Sequence, residues 1–106
     1  MAITSKDIAQ AAEALNRFPG LSPLARRLGI ELINHTCRNP RHEQHGKAWP
    51  SEARLAEALS VTTRAIRKAK AQLKAHGFLA WEQRGRHPQR TPLYELAWER
   101  LRAVAT

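Results

Sequence analysis

Residues 51–77 read SEARLAEALSVTTRAIRKAKAQLKAHG and hold two helical apolar patterns with almost no chain between them. In the first, Ser51 stands where a helix cap would, and Ala53, Leu55, Ala56 and Leu59 supply the apolar positions. Ser60 breaks that pattern, and Val61 has the character of a buried turn residue. Thr62 or Thr63 caps the second helix, whose inward face is Ile66, Ala69 and Leu73 at spacings of three and four. His76 and Gly77 end it: the histidine lies near the negative pole, and the glycine falls just past the last turn. Two short helices this close in sequence must pack on each other across a tight turn, which leaves few architectures open.

The second helix carries Arg64, Arg67, Lys68, Lys70 and Lys74, and residues 60–77 contain no acid. An ordinary solvated helix mixes both signs, because Glu and Lys one turn apart help it form. The bias extends to the whole chain. Lys and Arg outnumber Asp and Glu by 18 to 9, a formal charge of +9 on 106 residues. Such an excess points to an acidic partner: nucleic acid first, an anionic membrane surface second, an acidic protein third. With 42% apolar residues, the chain is expected to fold as one small domain over residues 1–106.

Upstream, Ser5 is a candidate cap for a first helix, with Ile8, Ala11, Ala12, Leu15 and Phe18 at helical spacing and FPG at 18–20 as its stop. This places an additional N-terminal helix within residues 1–20. Ser22 followed by Pro23 starts a second helix, with Leu24, Leu28, Leu32 and Ile33 on one face. Gly29 interrupts it at some cost in helix propensity. Residues 37–47, CRNPRHEQHGK, read as a polar loop. Beyond Gly77 the period changes to two. FLAWEQ alternates Leu79 and Trp81 against Ala80 and Glu82, as a strand would. Residues 84–92, RGRHPQRTP, form a basic turn, and LYELAW at 93–98 begins as the returning strand. Trp98, Leu101 and Val104 then resume helical spacing, which predicts a short C-terminal helix.

The expected fold is mainly α with a small β-hairpin: a winged helix-turn-helix with extra N-terminal and C-terminal helices. From Trp49 to about residue 96, WPSEARLAEALSVTTRAIRKAKAQLKAHGFLAWEQRGR…TPLYEL closely resembles the small winged helix-turn-helix domains of bacterial, plasmid and phage DNA-binding proteins. The shared pattern is W-P-S, an apolar first helix, an LSV turn, Ser or Thr at the next cap, a basic second helix, and a glycine leading into the wing. One departure stands out. Lys70 occupies a position where such domains often carry Leu, so the core seam is narrower, or the lysine stem lies along it with its ammonium in water.

The resemblance implies that the basic helix lies in the major groove of double-stranded DNA, where an acid would be repelled by both rows of phosphates. Thr62, Thr63, Arg64, Arg67 and Lys68 fall in its first turns, within reach of base edges. Arg can bond guanine O6 and N7 together, and threonine can meet a thymine methyl. Lys74, farther along, would meet phosphate. Ser51 caps the first helix of the motif and could also bind phosphate, with Arg54 beside it. Arg84, Arg86 and Arg90 in the wing turn would follow the backbone into the neighbouring minor groove. Gly85 serves the turn's backbone geometry.

Other constellations carry less. His35, Cys37, His42 and His45 fall within eleven residues, but H-x-C-x4-H-x2-H is not a familiar structural zinc spacing. A helix end running into a polar loop, with one buried thiol, is the plainer description, and no metal or other cofactor is expected. Trp49, Trp81 and Trp98 lie at element ends among apolar neighbours, as core and hairpin packing rather than a base-stacking platform. Neither a Ser/His/Asp layout nor an acid pair nor a phosphate-cradling glycine loop is present, so no enzyme is expected. No apolar run approaches the ~20 residues that span a bilayer. The N-terminus lacks a secretory layout, and the single cysteine excludes an intrachain disulfide; both suit the cytoplasm, with nucleoid association when DNA is bound.

The reading is therefore specific binding of double-stranded DNA, as a transcription regulator or as a mobile-element accessory factor of excisionase-like or replication type. Its rival is a protein-interaction module that uses the basic face on an acidic partner. The stripes Ile8, Leu15, Phe18 and Trp98, Leu101, Val104 either cover the core of one protomer or pair two protomers into a homodimer on DNA; pairing is the expectation.

Overall fold

The computed structural model describes residues 3–83 and 91–105. Helix α1 spans Ser5–Arg17. Its cap is Thr4 rather than Ser5. The Thr4 hydroxyl accepts from the Asp7 N–H at 3.2 Å, and the Asp7 carboxylate accepts from the Thr4 N–H at 2.9 Å. An acid three residues after Thr4 makes this reciprocal box possible, and Ser5 has no such partner. Helix α2, Pro23–His35, starts at the Ser22 cap with proline in its first turn. Gly29 has a packing reason: a Cβ there would stand 2.7 Å from Leu15 Cδ1, so its absence lets α1 and α2 approach.

The polar loop closes on itself. The Cys37 N–H donates to the Lys47 carbonyl at 2.8 Å, and the Gly46 N–H donates to the Cys37 carbonyl at 2.9 Å. It ends in a strand absent from the sequence reading, β1, Lys47–Ala48. Helices α3, Glu52–Leu59, and α4, Thr63–Ala75, follow, then β2, Leu79–Glu82, β3, Leu93–Leu96, and α5, Trp98–Ala105. The expected hairpin is thus a three-stranded antiparallel sheet in the order β1-β3-β2. Lys47 pairs with Glu95 and Ala48 with Tyr94; across the other edge Trp81 pairs with Tyr94 and Glu82 with Leu93. Two residues are too few to show an alternation, so only the pairing reveals β1.

A single core joins all five helices and the sheet, with Leu15, Leu28, Leu32, Leu55, Ile66, Leu73, Phe78 and Leu101 inaccessible to solvent. The terminal stripes belong to it. Leu15 and Leu101 are buried, while Ile8, Phe18, Trp98 and Val104 pack against the same cluster. Arg102 binds Asp7 at 2.8 Å and ties α5 to the start of α1. The Trp98 Nε1–H donates to the Gly46 carbonyl at 3.1 Å and holds the closed loop to α5. The stripes cover the core of one protomer, and this removes the sequence argument for pairing through them. Ala53 also departs from expectation. It is exposed, because the period of Leu55, Ala56 and Leu59 turns it to the opposite side of α3. No described helix is long and apolar enough to cross a membrane.

Candidate nucleic-acid interface

The turn between α3 and α4 owes its sharpness to Ser60, which adopts the left-handed conformation at φ 56° and ψ 45°. The Ser60 N–H donates to the Glu57 carbonyl, and the Val61 N–H reaches back to the Ala56 carbonyl at 3.0 Å, so the last carbonyls of α3 are satisfied. Thr62 is the cap of α4: its hydroxyl accepts from the Ala65 N–H at 3.1 Å. Val61 is half-buried, as its turn position requires. The far end of α4 repeats the device at Gly77, φ 77°, where the Phe78 N–H bonds the Leu73 carbonyl. Both ends of α4 are thereby held against the core.

With Ile66, Ala69 and Leu73 inward, the outward row of α4 is Arg64, Arg67, Lys68, Ala71, Lys74 and Ala75, all exposed. Thr62 is exposed at its head and Thr63 half-buried. Among the described residues Arg64 and Lys68 have no acidic partner. Small side chains at Ala71 and Ala75 keep the helix backbone open to a close surface. The row is a single-signed ridge one helix turn after another.

Lys70 departs from both sequence expectations. It is buried, 5% exposed, and its ammonium is not in water. The Nζ lies 3.1 Å from Glu52 Oε2, 4.5 Å above the Trp81 ring and 4.9 Å above the Tyr94 ring. A buried ammonium needs a counter-charge and polarisable surroundings, and α3 supplies the acid while the sheet supplies the ring faces. Glu52 is also bound by Arg67, Nε to Oε1 at 3.1 Å. Burial pushes the Glu52 carboxyl up, but the Lys70 ammonium, and then the Arg67 guanidinium, outweigh it and hold it below its ordinary value. The acid missing from α4 thus comes from α3. Lys74 is held too, with its ammonium 5.0 Å over Trp81. Burial, with the Glu52 charge adding to it, drives the Tyr94 phenol strongly upward, so it stays neutral.

Ser51 caps α3 by accepting from the Arg54 N–H at 3.0 Å, and the exposed Arg54 side chain follows within that first turn. Arg84, Arg86 and Arg90, with Gly85, lie outside the described residues; β2 and β3 flank them. Two contributors escaped the sequence reading. Glu52 is one, although a lysine in a core seam signals the need for a nearby acid. Arg27 is the other: its Nη2 donates to the Leu59 carbonyl at 3.3 Å, which sets an exposed guanidinium beside the α3–α4 turn. That contact joins residues 32 apart and leaves no local pattern.

The histidines do not converge. Among the described residues no group of three His, Cys, Asp or Glu side chains is placed to hold a metal. His45 Nε2 accepts from the Ile3 N–H, His42 Nδ1 from the Gln44 N–H, and His35 faces Glu31. Trp81 and Trp98 pack against the core, but Trp49 does not. It is 39% exposed and stacks on His42 with centroids 5.6 Å apart. Alternation from the buried Ala48 turns it outward.

Helix, tight turn, basic helix and antiparallel sheet make this a winged helix-turn-helix domain, a fold whose second helix enters the DNA major groove in characterised cases. The family model described as helix-turn-helix domain matches residues 19–79, more than half of the chain, and the chain belongs to that family. The match begins before α2, so the family unit takes in α2, α3 and α4 rather than starting at Trp49, and it stops at the first residue of β2. No curated protein and no solved structure matches the chain.

Proposed function

We propose that this protein binds specific sequences of double-stranded DNA, with α4 in the major groove, and that it acts without catalysis. The observation that carries the reading is the outward row of α4: exposed cations at every turn, no acid on the helix, and an inward face wholly committed to the core. Such a ridge gains from phosphates on both sides of a groove and presents Thr62, Thr63, Arg64 and Arg67 to base edges. Ser51, Arg54, Lys68 and Lys74 serve as backbone contacts, joined by Arg27 at the turn. Arg84, Arg86 and Arg90 are assigned to phosphate through the wing. The role is that of a transcription regulator or a mobile-element accessory factor, excisionase-like or in replication, in a bacterial, plasmid or phage setting and in the cytoplasm or on the nucleoid. A homodimer on a palindromic site would need surfaces other than the two terminal stripes. Light scattering with and without duplex reads the assembly: two protomers per site would support the homodimer, and one protomer per site would remove it.

The test is selection of bound sequences from random duplexes, followed by titration of the enriched and a scrambled duplex at several salt concentrations. Enrichment of a defined motif supports the reading. Equal affinity for both duplexes, with tight salt-sensitive binding to an acidic protein instead, would favour the interaction-module alternative. Loss of one wing arginine should weaken all duplexes alike and lower the salt slope by about one unit.

A further inference from the structure

We infer that Glu52 is a positioning residue for sequence reading, fixing Arg67 so that its two terminal nitrogens are presented as a prepared pair of donors. The inference rests on the proposed DNA reading and deepens it. Both carboxylate oxygens are committed: Oε1 accepts from Arg67 Nε and Oε2 from Lys70 Nζ, each at 3.1 Å. Bonding through Nε leaves Nη1 and Nη2 of Arg67 without partners among the described residues. That pair matches guanine O6 and N7.

The support for Glu52 comes from below. Lys70 is buried with its ammonium over both the Trp81 and the Tyr94 ring, which are paired neighbours on β2 and β3, tilted by 57° with centroids 6.2 Å apart. The chain of contacts thus runs from the sheet through Lys70 and Glu52 to an exposed arginine. A free arginine side chain loses rotamer entropy when it is held, and a guanidinium already held loses less on binding. The acid has a second effect. A carboxylate close to the groove repels phosphate, and a base contact by Arg67 offsets that repulsion only on the right sequence. As a stability device the contact would be weak, since the Arg67 side chain is 66% exposed and surface pairs contribute little.

The experiment selects duplexes from a random library with the wild type, Arg67→Ala, Glu52→Gln and the double variant Glu52→Gln/Lys70→Met. The double variant removes the buried ammonium along with its counter-charge, so the test survives if Glu52→Gln alone folds poorly. Arg67→Ala should lose preference for guanine at one base pair and keep the rest of the motif. Glu52→Gln and the double variant should lose preference at that same base pair, about 5- to 10-fold. For Glu52→Gln, affinity for a scrambled duplex should rise about two- to fivefold, because an acid has been removed; the double variant, which loses one charge of each sign, should keep the wild-type value. A merely structural role would lower both affinities together and leave base preference intact. The inference is overturned if Glu52→Gln and the double variant keep the preference that Arg67→Ala loses. It is also overturned if Arg67→Ala loses none, in which case the wild-type motif still upholds DNA reading. If the wild type enriches no motif, the DNA reading fails and takes the inference with it.

Discussion

Arg64 and Lys68 lie on the same helix as Arg67, Lys70 and Lys74, and carry the same charge, yet the two groups are built differently. The first pair extends from α4 with no acidic partner among the described residues. The second group is held: Arg67 by Glu52 of α3, Lys70 by Glu52 and two aromatic rings of the sheet, Lys74 by Trp81 of the sheet. A net charge treats all five alike. Free cations can follow phosphates wherever they lie, whereas held cations have a fixed direction and join the recognition helix to the wing strands. On the proposed DNA reading, one helix thereby carries both an untethered pair of cations for phosphate and a held frame.

That contrast can be broken by substitution. The largest effect on stability is expected at Lys70→Ala, which leaves the Glu52 carboxylate short of a partner and empties the space over the Trp81 and Tyr94 rings. Unfolding in urea should show a loss of about 2–4 kcal/mol. Lys68→Ala should stay within about 0.5 kcal/mol of wild type in the same experiment, as exposed substitutions usually do. Equal losses would erase the distinction. On DNA the order reverses: Lys68→Ala should weaken binding to every duplex and lower the salt slope by about one unit, read by titration across salt concentrations.

Acid should act on the held group and spare the free one. The Glu52 carboxyl lies below its ordinary value of 4.5 in the folded protein, so the unfolded chain takes up its proton first as pH drops. Its contribution is complete above pH 4.5 and is lost as pH falls through the folded value. Asp7 adds to the same decline below 3.8, held down by the Thr4 N–H and then by Arg102. Thermal melts from pH 7 to pH 3 should show the decline, and Glu52→Gln should make it shallower. A small effect of the opposite sign is expected at Ser60→Gly. Ser60 sits in left-handed backbone that costs an L-residue about 1–2 kcal/mol, partly offset by the greater flexibility of an unfolded glycine. A net gain of roughly 0.5 kcal/mol is expected, with base preference unchanged.

The helices were legible because each repeats its apolar residues at three and four and announces its ends: Ser22–Pro23, Ser51 and His76–Gly77 mark boundaries that the structure keeps. The basic row was legible for the same reason, since exposure on a helix follows from which residues face inward. The unread features depend on pairs distant in sequence. Strand β1 exists only because Tyr94 and Glu95 pair with it. The fate of Lys70 depends on Glu52, Trp81 and Tyr94, which lie on three other elements. Thr4 took the cap from Ser5 because Asp7 stands at the right spacing for the former alone. The terminal stripes illustrate a further limit: periodicity identifies an apolar face but not what covers it, and here α1 and α5 cover the same core.

The central claim is that the outward row of α4 reads DNA sequence. Titrating wild type and Arg64→Ala against the selected duplex and a scrambled one, at a single salt concentration, tests it most directly. Among the described residues Arg64 has no acidic partner to confuse the result. The account predicts a loss of about 1–3 kcal/mol on the selected duplex and a much smaller loss on the scrambled one. Equal losses on both duplexes, or none on either, would contradict it.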